Sequence, residues 1–560
     1  MVDNREVAAI LEEVANILEI LGDNPYKIRA YRRASQTICE LGDDLEDIWR
    51  QGKLRTVDGI GKALQSKIEE ILQTGSLKYH QELLDRVPRG VLRMLELPGL
   101  GPRTVKVIYE HLGITNLDDL LEAAKARKIR ELPGLGAKTE YNIKKGIEML
   151  ESIGETVTLG TVLPVARDFC TFLKDGEGIE TAELVGSIRR RKPVVHDIDI
   201  LAASNEPEKV RERVARYRRL KALDETGNGV IRGRIGLGFK FEVIVVSPSD
   251  FPLALLLTTG SKEHREVILN RMREAGVASG SSEAEIYEKL GMQWIPPELR
   301  ENRGEIEQAA ARRLPLLVNQ SEIKGDLHLH TDWTDGAHSL EQMVEQARAM
   351  GYSYIAVTDH SQSLKISKGL DEKRLRDQMR LIARMNEEMT DFRILSGIEV
   401  DIFRDGTLDF PDEILEQLDV VVASIHSAFH LSPEEQTHRI IKAIENPNVD
   451  IIGHLTGRLL TRRAGYQVDI DKVLKAASRR GTILEINAHP DRLDISEEVV
   501  MQARKEGVKV AINSDAHQAG DMMLIEYGIY NARRGWLEAD DVVNTWSLDR
   551  LLQYLENKPL

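Results

Sequence analysis

The sequence predicts a multidomain protein, all-α at its N-terminus, mixed α/β in its middle and a parallel β/α barrel at its C-terminus. Three observations predict it. A Gly-x-Gly element recurs three times before residue 140, strand-like runs alternate with charged helical stretches between 151 and 320, and six apolar runs after residue 324 each end in polar residues suited to a metal. With 560 residues, 42% of them hydrophobic, the chain can build several cores.

Composition narrows the class. Charged residues make up 30% of the chain, prolines number only 18, and no biased tract occurs, so a soluble globular protein is expected. The apolar run Phe251 to Leu257 falls well short of the ~20 residues a membrane span needs, and the N-terminus is acidic where a signal peptide would be basic. Neither export nor membrane insertion is expected. Cys39 and Cys170 are too few for a disulfide framework or a four-thiolate zinc site, which points to the cytoplasm. The net charge of −15 is unevenly spread: 23 basic and 24 acidic residues in 1–150, 25 and 26 in 151–320, but 28 and 41 in 321–560. That last segment also holds ten of the fourteen histidines, the mixture from which metal sites are built.

Taken in order, Val7, Ile10, Leu11, Val14, Ile17, Leu18 and Leu21 mark an amphipathic helix stopped by Gly22 to Pro25. The repeats follow, with Gly59 and Gly61, Gly99 and Gly101, and Gly134 and Gly136, each pair directly before a new helical pattern. Such turns bring backbone N–H groups and a helix N-terminus close to a phosphate, and Arg103, Lys106 and Lys138 add charge. These six glycines are therefore candidates for binding the DNA backbone. In the middle segment, strands are expected at Ile198 to Ala202 and Phe239 to Val246, with a helix from Glu206 to Leu220. A charged, helix-prone connection leads from Arg300 to Lys324.

Two constellations carry chemistry. Asp197 and Asp199 face one way on a strand, so they can share divalent ions, while Gly186, Ser187 and Arg190 just upstream can meet a triphosphate. In the last domain, His328 and His330 share a face. With Asp335, His360, Glu399, His426, His454, Asp515 and His517 they make nine ligands, enough for two or three ions. Asn487 and His489 are further polar groups at a strand end, whereas His338, His430 and His438 read as surface residues.

Residues from about 324 to 560 resemble a PHP (polymerase and histidinol phosphatase) domain, on the stretches DLHLHT, TDH, GIEVD, ASIH, IIGHLTGR, EINAHPDRLD and INSDAH. The resemblance implies a distorted barrel in which the nine residues bind a manganese or zinc cluster that cleaves phosphoesters. The Gly-x-Gly repeats resemble helix-hairpin-helix motifs. GSIRR, HDIDIL, TGSKEH and IPPELRE, with NPYKIRAYRRA near the N-terminus, resemble a family X DNA polymerase palm and its neighbours. That resemblance implies a DNA-binding, lyase-like domain at 1–85, helix-hairpin-helix repeats at 86–150, a nucleotidyltransferase palm and shortened thumb at 151–300, a linker at 301–324 and the PHP domain at 325–560. It also implies dNTP contacts at Gly260 and Ser261, magnesium or manganese at Asp197, Asp199 and a third carboxylate, Glu242, and Schiff-base chemistry at Lys67.

Several positions depart from the family. Glu242 stands where an aspartate is usual, His196 replaces the glycine before the first aspartate, Leu257-Thr258 replaces an aromatic pair, and Gly276 to Glu283 is short. The expectation is a monomeric DNA-repair protein acting on gapped or 3′-ended DNA, its polymerase activity weakened, relaxed in sugar choice or lost, and its PHP domain removing 3′ nucleotides or phosphates. A fully active gap-filling polymerase, an inert DNA-binding scaffold and a small-molecule phosphatase remain alternatives.

Overall fold

A computed structural model of the chain describes residues 4–39, 41, 45–57, 59–84, 86–97, 100–136, 139–140, 143–144, 147, 156–224, 227, 229–236 and 238–558. The chain forms two compact units, Met1–Gly154 and Glu155–Leu560.

The first unit is helical. Asn4–Ile20 buries Val7, Leu11, Val14, Ile17 and Leu18 against Pro25–Cys39. Where both glycines are described, the Gly-x-Gly element divides one task between them. Gly59 and Gly134 take positive φ (79° and 74°), which a side chain would resist, and Gly61 and Gly101 are the N-cap residues of Lys62–Thr74 and Pro102–Leu112. Gly136 likewise precedes helical residues 139 and 140. Gly99 and Lys138 lie outside the described residues.

The second unit begins with a five-stranded sheet in the order Thr181–Leu184, Ile198–Ala203, Phe239–Val246, Val230–Ile235, Leu220–Leu223. The Ile198 and Phe239 strands, both anticipated, run parallel, so Asp199 sits beside Glu242. The expected helix from Glu206 is shorter than its charge pattern suggests. It spans Pro207–Ala215, and Leu220 instead pairs with Ile235 in an edge strand. A second apolar cluster holds Ile268, Met272, Ile286, Tyr287, Ile295 and Leu299 together with Ile306 and Ala309. The segment read as a linker therefore contributes its helix, Glu305–Ala310, to this core rather than running free.

The remainder is a seven-stranded parallel sheet in sequential order from Gly325–Asp326 to Val510–Asn513. Leu329 bridges Ala516 beyond the strand ends, so the sheet nearly closes into a barrel. Its strands are buried on both faces, as continuous apolar runs require. The palm packs directly on this barrel. Leu493 and Tyr527 of the barrel join the palm's apolar core, and a Cβ on Gly160 would meet Pro490 at 2.2 Å. Buried Arg534 completes the junction, donating to Glu497 (2.6 Å), to Glu301 (3.1 Å) and to the Arg190 carbonyl (2.7 Å). Among the described residues no helix is long and apolar enough to cross a membrane.

Candidate metal centre and palm

Parallel strands deliver their C-terminal ends to one face, and that is where the histidines and carboxylates meet. The hydrogen-bonded strand ends at Asp326, yet the period-two alternation persists, and the His328 and His330 rings lie 5.2 Å apart. Three sets of side chains bring their potential ligand atoms within 4.8 Å of one another: His330, Asp335, His360 and His517; His328, His330 and Asp515; and His360, Glu399 and His426. Glu399 is central. Its Oε1 lies 2.9 Å from His454 Nε2 and 3.5 Å from both His328 and His426 Nε2, and its Oε2 lies 2.7 Å from His360 Nδ1. All nine expected residues thus converge, although they come from six separate stretches of chain.

Several of their polar atoms are not satisfied by one another. His328 Nε2, His330 Nδ1 and His454 Nδ1 are buried without a hydrogen-bond partner, and His360 Nδ1 and Glu399 Oε2, though 2.7 Å apart, are not aligned for a hydrogen bond. A buried polar atom left unpaired is costly, whereas a divalent ion would satisfy several at once. The carboxylates here attract positive charge, as a proton on His360 or as a metal ion that displaces it, while His330 is held neutral. Burial and the neighbouring His360 and His517 push His330 down to about 3. Burial opposes charge on His360 as well, but the Glu399 and Asp335 carboxylates override it and raise His360 to about 10.

Of the residues that aim these side chains, sequence reasoning singled out Asn487 and missed Asp401, Glu485 and Asp359. Asp401 Oδ1 accepts from His426 Nδ1 at 2.5 Å, and Glu485 Oε1 accepts from His328 Nδ1 at 2.7 Å, which turns each Nε2 toward the centre. Asn487 donates to Asp515 Oδ2 at 2.9 Å. Asp359 is fully buried and accepts from the Thr331 backbone, the Thr331 and Thr334 hydroxyls and Gln378, which fixes the turn between His330 and Asp335. The signal was present, since Asp401 lies two residues beyond Glu399 on one strand and Asn487 two beyond Glu485 on another. His489 belongs to none of the three sets, His338 accepts from the Ala519 amide, and His430 and His438 are exposed.

In the palm, Asp197, Asp199 and Glu242 form one acidic cluster. Burial first, then the Asp197 and Glu242 charges, raise Asp199 to about 7, and burial also raises Asp197. Carboxylates that repel one another in this way suit a shared divalent cation. Gly186 must be glycine, because at φ 60° its Cβ would lie 2.1 Å from Asp199 Oδ2. Half-buried Ser187 follows in the same one-turn helix, and His196 is exposed beside Asp197.

Other palm assignments change. Arg190 does not extend freely toward a triphosphate; it donates to the Thr259 carbonyl (2.7 Å) and pairs with Glu301 (2.9 Å). Ser261 is committed too, its hydroxyl capping Lys262–Ala275 through the His264 amide, while a Cβ on Gly260 would meet His264 at 2.7 Å. Glu242 pairs with Arg232 at 2.5 Å, so its carboxylate is shared between the acidic cluster and a cation.

Beneath this loop, Glu283 clamps Arg189 (2.7 Å) and buried Arg300 (2.5 Å). Burial alone would raise Glu283, but the two guanidiniums hold it at about 2. A carboxyl so depressed stabilises the fold fully above its ordinary value of 4.5 and loses that contribution as pH falls from 4.5 toward 2. Glu283→Gln leaves two buried cations poorly paired and is expected to cost about 3–5 kcal/mol in denaturant titrations at pH 7. The difference from wild type should shrink below pH 4; an equal deficit at both pH values would refute this role.

In the N-terminal unit, the Lys67 Nζ lies 3.9 Å from the centre of the Tyr79 ring. Burial, aided by nearby Lys27, lowers its pKa.

Comparison with known proteins follows this layout. Residues 2–77 match a helix-hairpin-helix domain, 91–148 a SAM-like helix-hairpin-helix tandem, 268–301 the DNA polymerase beta thumb and 326–489 the PHP domain. The DNA polymerase/3′-5′ exonuclease PolX of Bacillus subtilis is 36% identical over 99% of both chains. Proteins named as probable phosphatases, from Thermoanaerobacter sp. (33% identical) and Caldanaerobacter subterraneus (32%), align with 42% of this chain and with 94% and 91% of their own.

Proposed function

The chain belongs to the X family of DNA polymerases that carry a C-terminal PHP domain, and from that premise we propose that it is a cytoplasmic DNA-repair enzyme. It pairs a metal-dependent 3′-5′ exonuclease in the barrel with a slowed, gap-filling polymerase in the palm. The observation that carries the nuclease is the convergence of nine ligand-type side chains, Glu399 among them, with buried nitrogens left unpaired. Manganese or zinc would be held by His330, Asp335, His360 and His517, by His328 and Asp515, and by Glu399, His426 and His454. Bound there, such ions neutralise phosphate oxygens and make water nucleophilic near neutral pH. The protein's own part is to keep the imidazoles aimed: Asp401 and Glu485 hold the Nδ1 protons of His426 and His328, and Asp359 holds the turn that brings Asp335 inward. The purified chain with manganese is expected to digest the labelled 3′ end of a gapped duplex, to stop on chelation and to resume when manganese is restored. Retained digestion after exhaustive chelation would contradict a metal-dependent nuclease.

In the palm, Asp197, Asp199 and Glu242 are the candidate holders of magnesium or manganese for a dNTP, with Gly186 and Ser187 facing its phosphates through backbone and hydroxyl. Binding to the DNA backbone is assigned to the glycine hairpins at Gly59, Gly61, Gly99, Gly101, Gly134 and Gly136.

Lys67 supports a second activity. An amine whose charged form is disfavoured by burial is a better nucleophile at neutral pH and can form a Schiff base with an abasic sugar. Borohydride should trap the wild type on abasic DNA, and Lys67→Ala should lose at least about 90% of that adduct. An undiminished adduct would assign the chemistry to another amine.

A further inference from the structure

The reaction proposed for the barrel poses a problem that its metal ligands do not solve. His328 and His330 are fully buried at the floor of the centre and Asp335 and His517 at its rim are partly exposed, so a 3′-terminal phosphate reaches the ions they would hold through a recess that a frayed end enters more readily than a paired one. The loop after the strand Tyr354–Val357 offers a means. It carries His360 and then turns through Lys365–Ser367, where Ile366 is 91% exposed. Lys365 and Lys368 flank it and are exposed as well.

This apolar tip is rigidly held. Arg374 donates to the carbonyls of Lys368 (2.6 Å), Gly369 (3.3 Å) and Trp333. Ser363 donates its hydroxyl to Asp401 and its amide to Asp409. Buried Ser367 faces the Asp335 carboxylate, which ties the turn to the candidate metal centre. A Cβ on Gly369 would lie 1.9 Å from the Ser361 carbonyl, so the base of the loop tolerates only glycine. A β-branched side chain is stiff in itself, and here its backbone is fixed also. Phe403 and Met523, also exposed, lie on loops that leave the same ends of other barrel strands.

We infer that the turn Lys365 to Lys368 is a wedge for paired 3′ ends: Ile366 inserts against the terminal base pair while the two lysines hold flanking phosphates. The inference rests on the exonuclease reading and names its substrate as duplex DNA whose last pair must be opened. Apolar side chains that enter a base step unstack it, and cations placed beside them hold the backbone during opening. A rigid isoleucine between two lysines supplies both parts.

Ile366→Ser is expected to slow removal of fully paired 3′ nucleotides by about tenfold. Single strands, ends with two or three mismatched terminal nucleotides, and the small diester bis(p-nitrophenyl) phosphate should be hydrolysed within about twofold of wild type, since none needs a pair opened. Lys365→Gln should weaken binding of paired ends and flatten its salt dependence. Equal loss on paired and mismatched ends, or no loss on either, overturns the wedge while leaving the exonuclease standing. A wild type that digests no 3′ end with manganese overturns the exonuclease reading and the wedge with it.

Discussion

Glu399→Gln is expected to lower 3′-5′ exonuclease turnover by about a thousandfold, the equivalent of roughly 4 kcal/mol of lost transition-state stabilisation. No other side chain in the centre touches so many of the others: His328, His330, His360, His426 and His454 all lie within 3.7 Å of its two oxygens. The substitution preserves shape and removes one negative charge, so the barrel should fold while the imidazoles lose the anion that holds them together with the ions. Single-turnover digestion with manganese in excess measures the effect. Asp401→Asn and Glu485→Gln act on the centre indirectly, Asp401 through His426 and Glu485 through the His328 ring and the His454 amide, and should cost about 10–100-fold. If Glu399→Gln cost no more than these two, Glu399 would be one more support and not the centre.

Glu242→Asp is expected to raise single-nucleotide incorporation on gapped DNA by about 100-fold. The longer side chain displaces its carboxylate by about 1 Å from where an aspartate would place it, and a misplacement of that size costs about that much. Arg232 adds to the displacement by pairing with Glu242. Shortening the side chain frees the carboxylate to approach Asp199 across the parallel strand pair. Incorporation by Asp197→Ala sets the background. A fall in activity with Glu242→Asp would mean that the site is tuned to glutamate, and the slowed-polymerase reading would fail with it.

The barrel and the convergence of its candidate ligands were legible because parallel strands buried on both faces leave unbroken apolar runs, and each run stops where its polar residue emerges. The residues that aim the ligands were less so. Asp401 and Glu485 sit within those runs, and only the folded distances to His426 and His328 separate a positioning carboxylate from a ligand. Arg190 was misread for a related reason: an arginine after Gly-Ser suggests a phosphate, but the Thr259 carbonyl and Glu301 that occupy it lie about 70 and 110 residues away. Arg534 and Glu497 look in sequence like solvated helix charges, and only the docking of palm on barrel buries them. Tertiary packing also overrode local pattern at Leu220, where the charged run continues but an edge of the sheet was available.

Metal content of the purified, dialysed chain tests the central claim most directly. About two to three equivalents of a divalent transition metal per wild-type chain, falling by about one or more in Glu399→Gln, is the expected result. A wild type that retains none, and takes up none when manganese or zinc is offered at neutral pH, would contradict it.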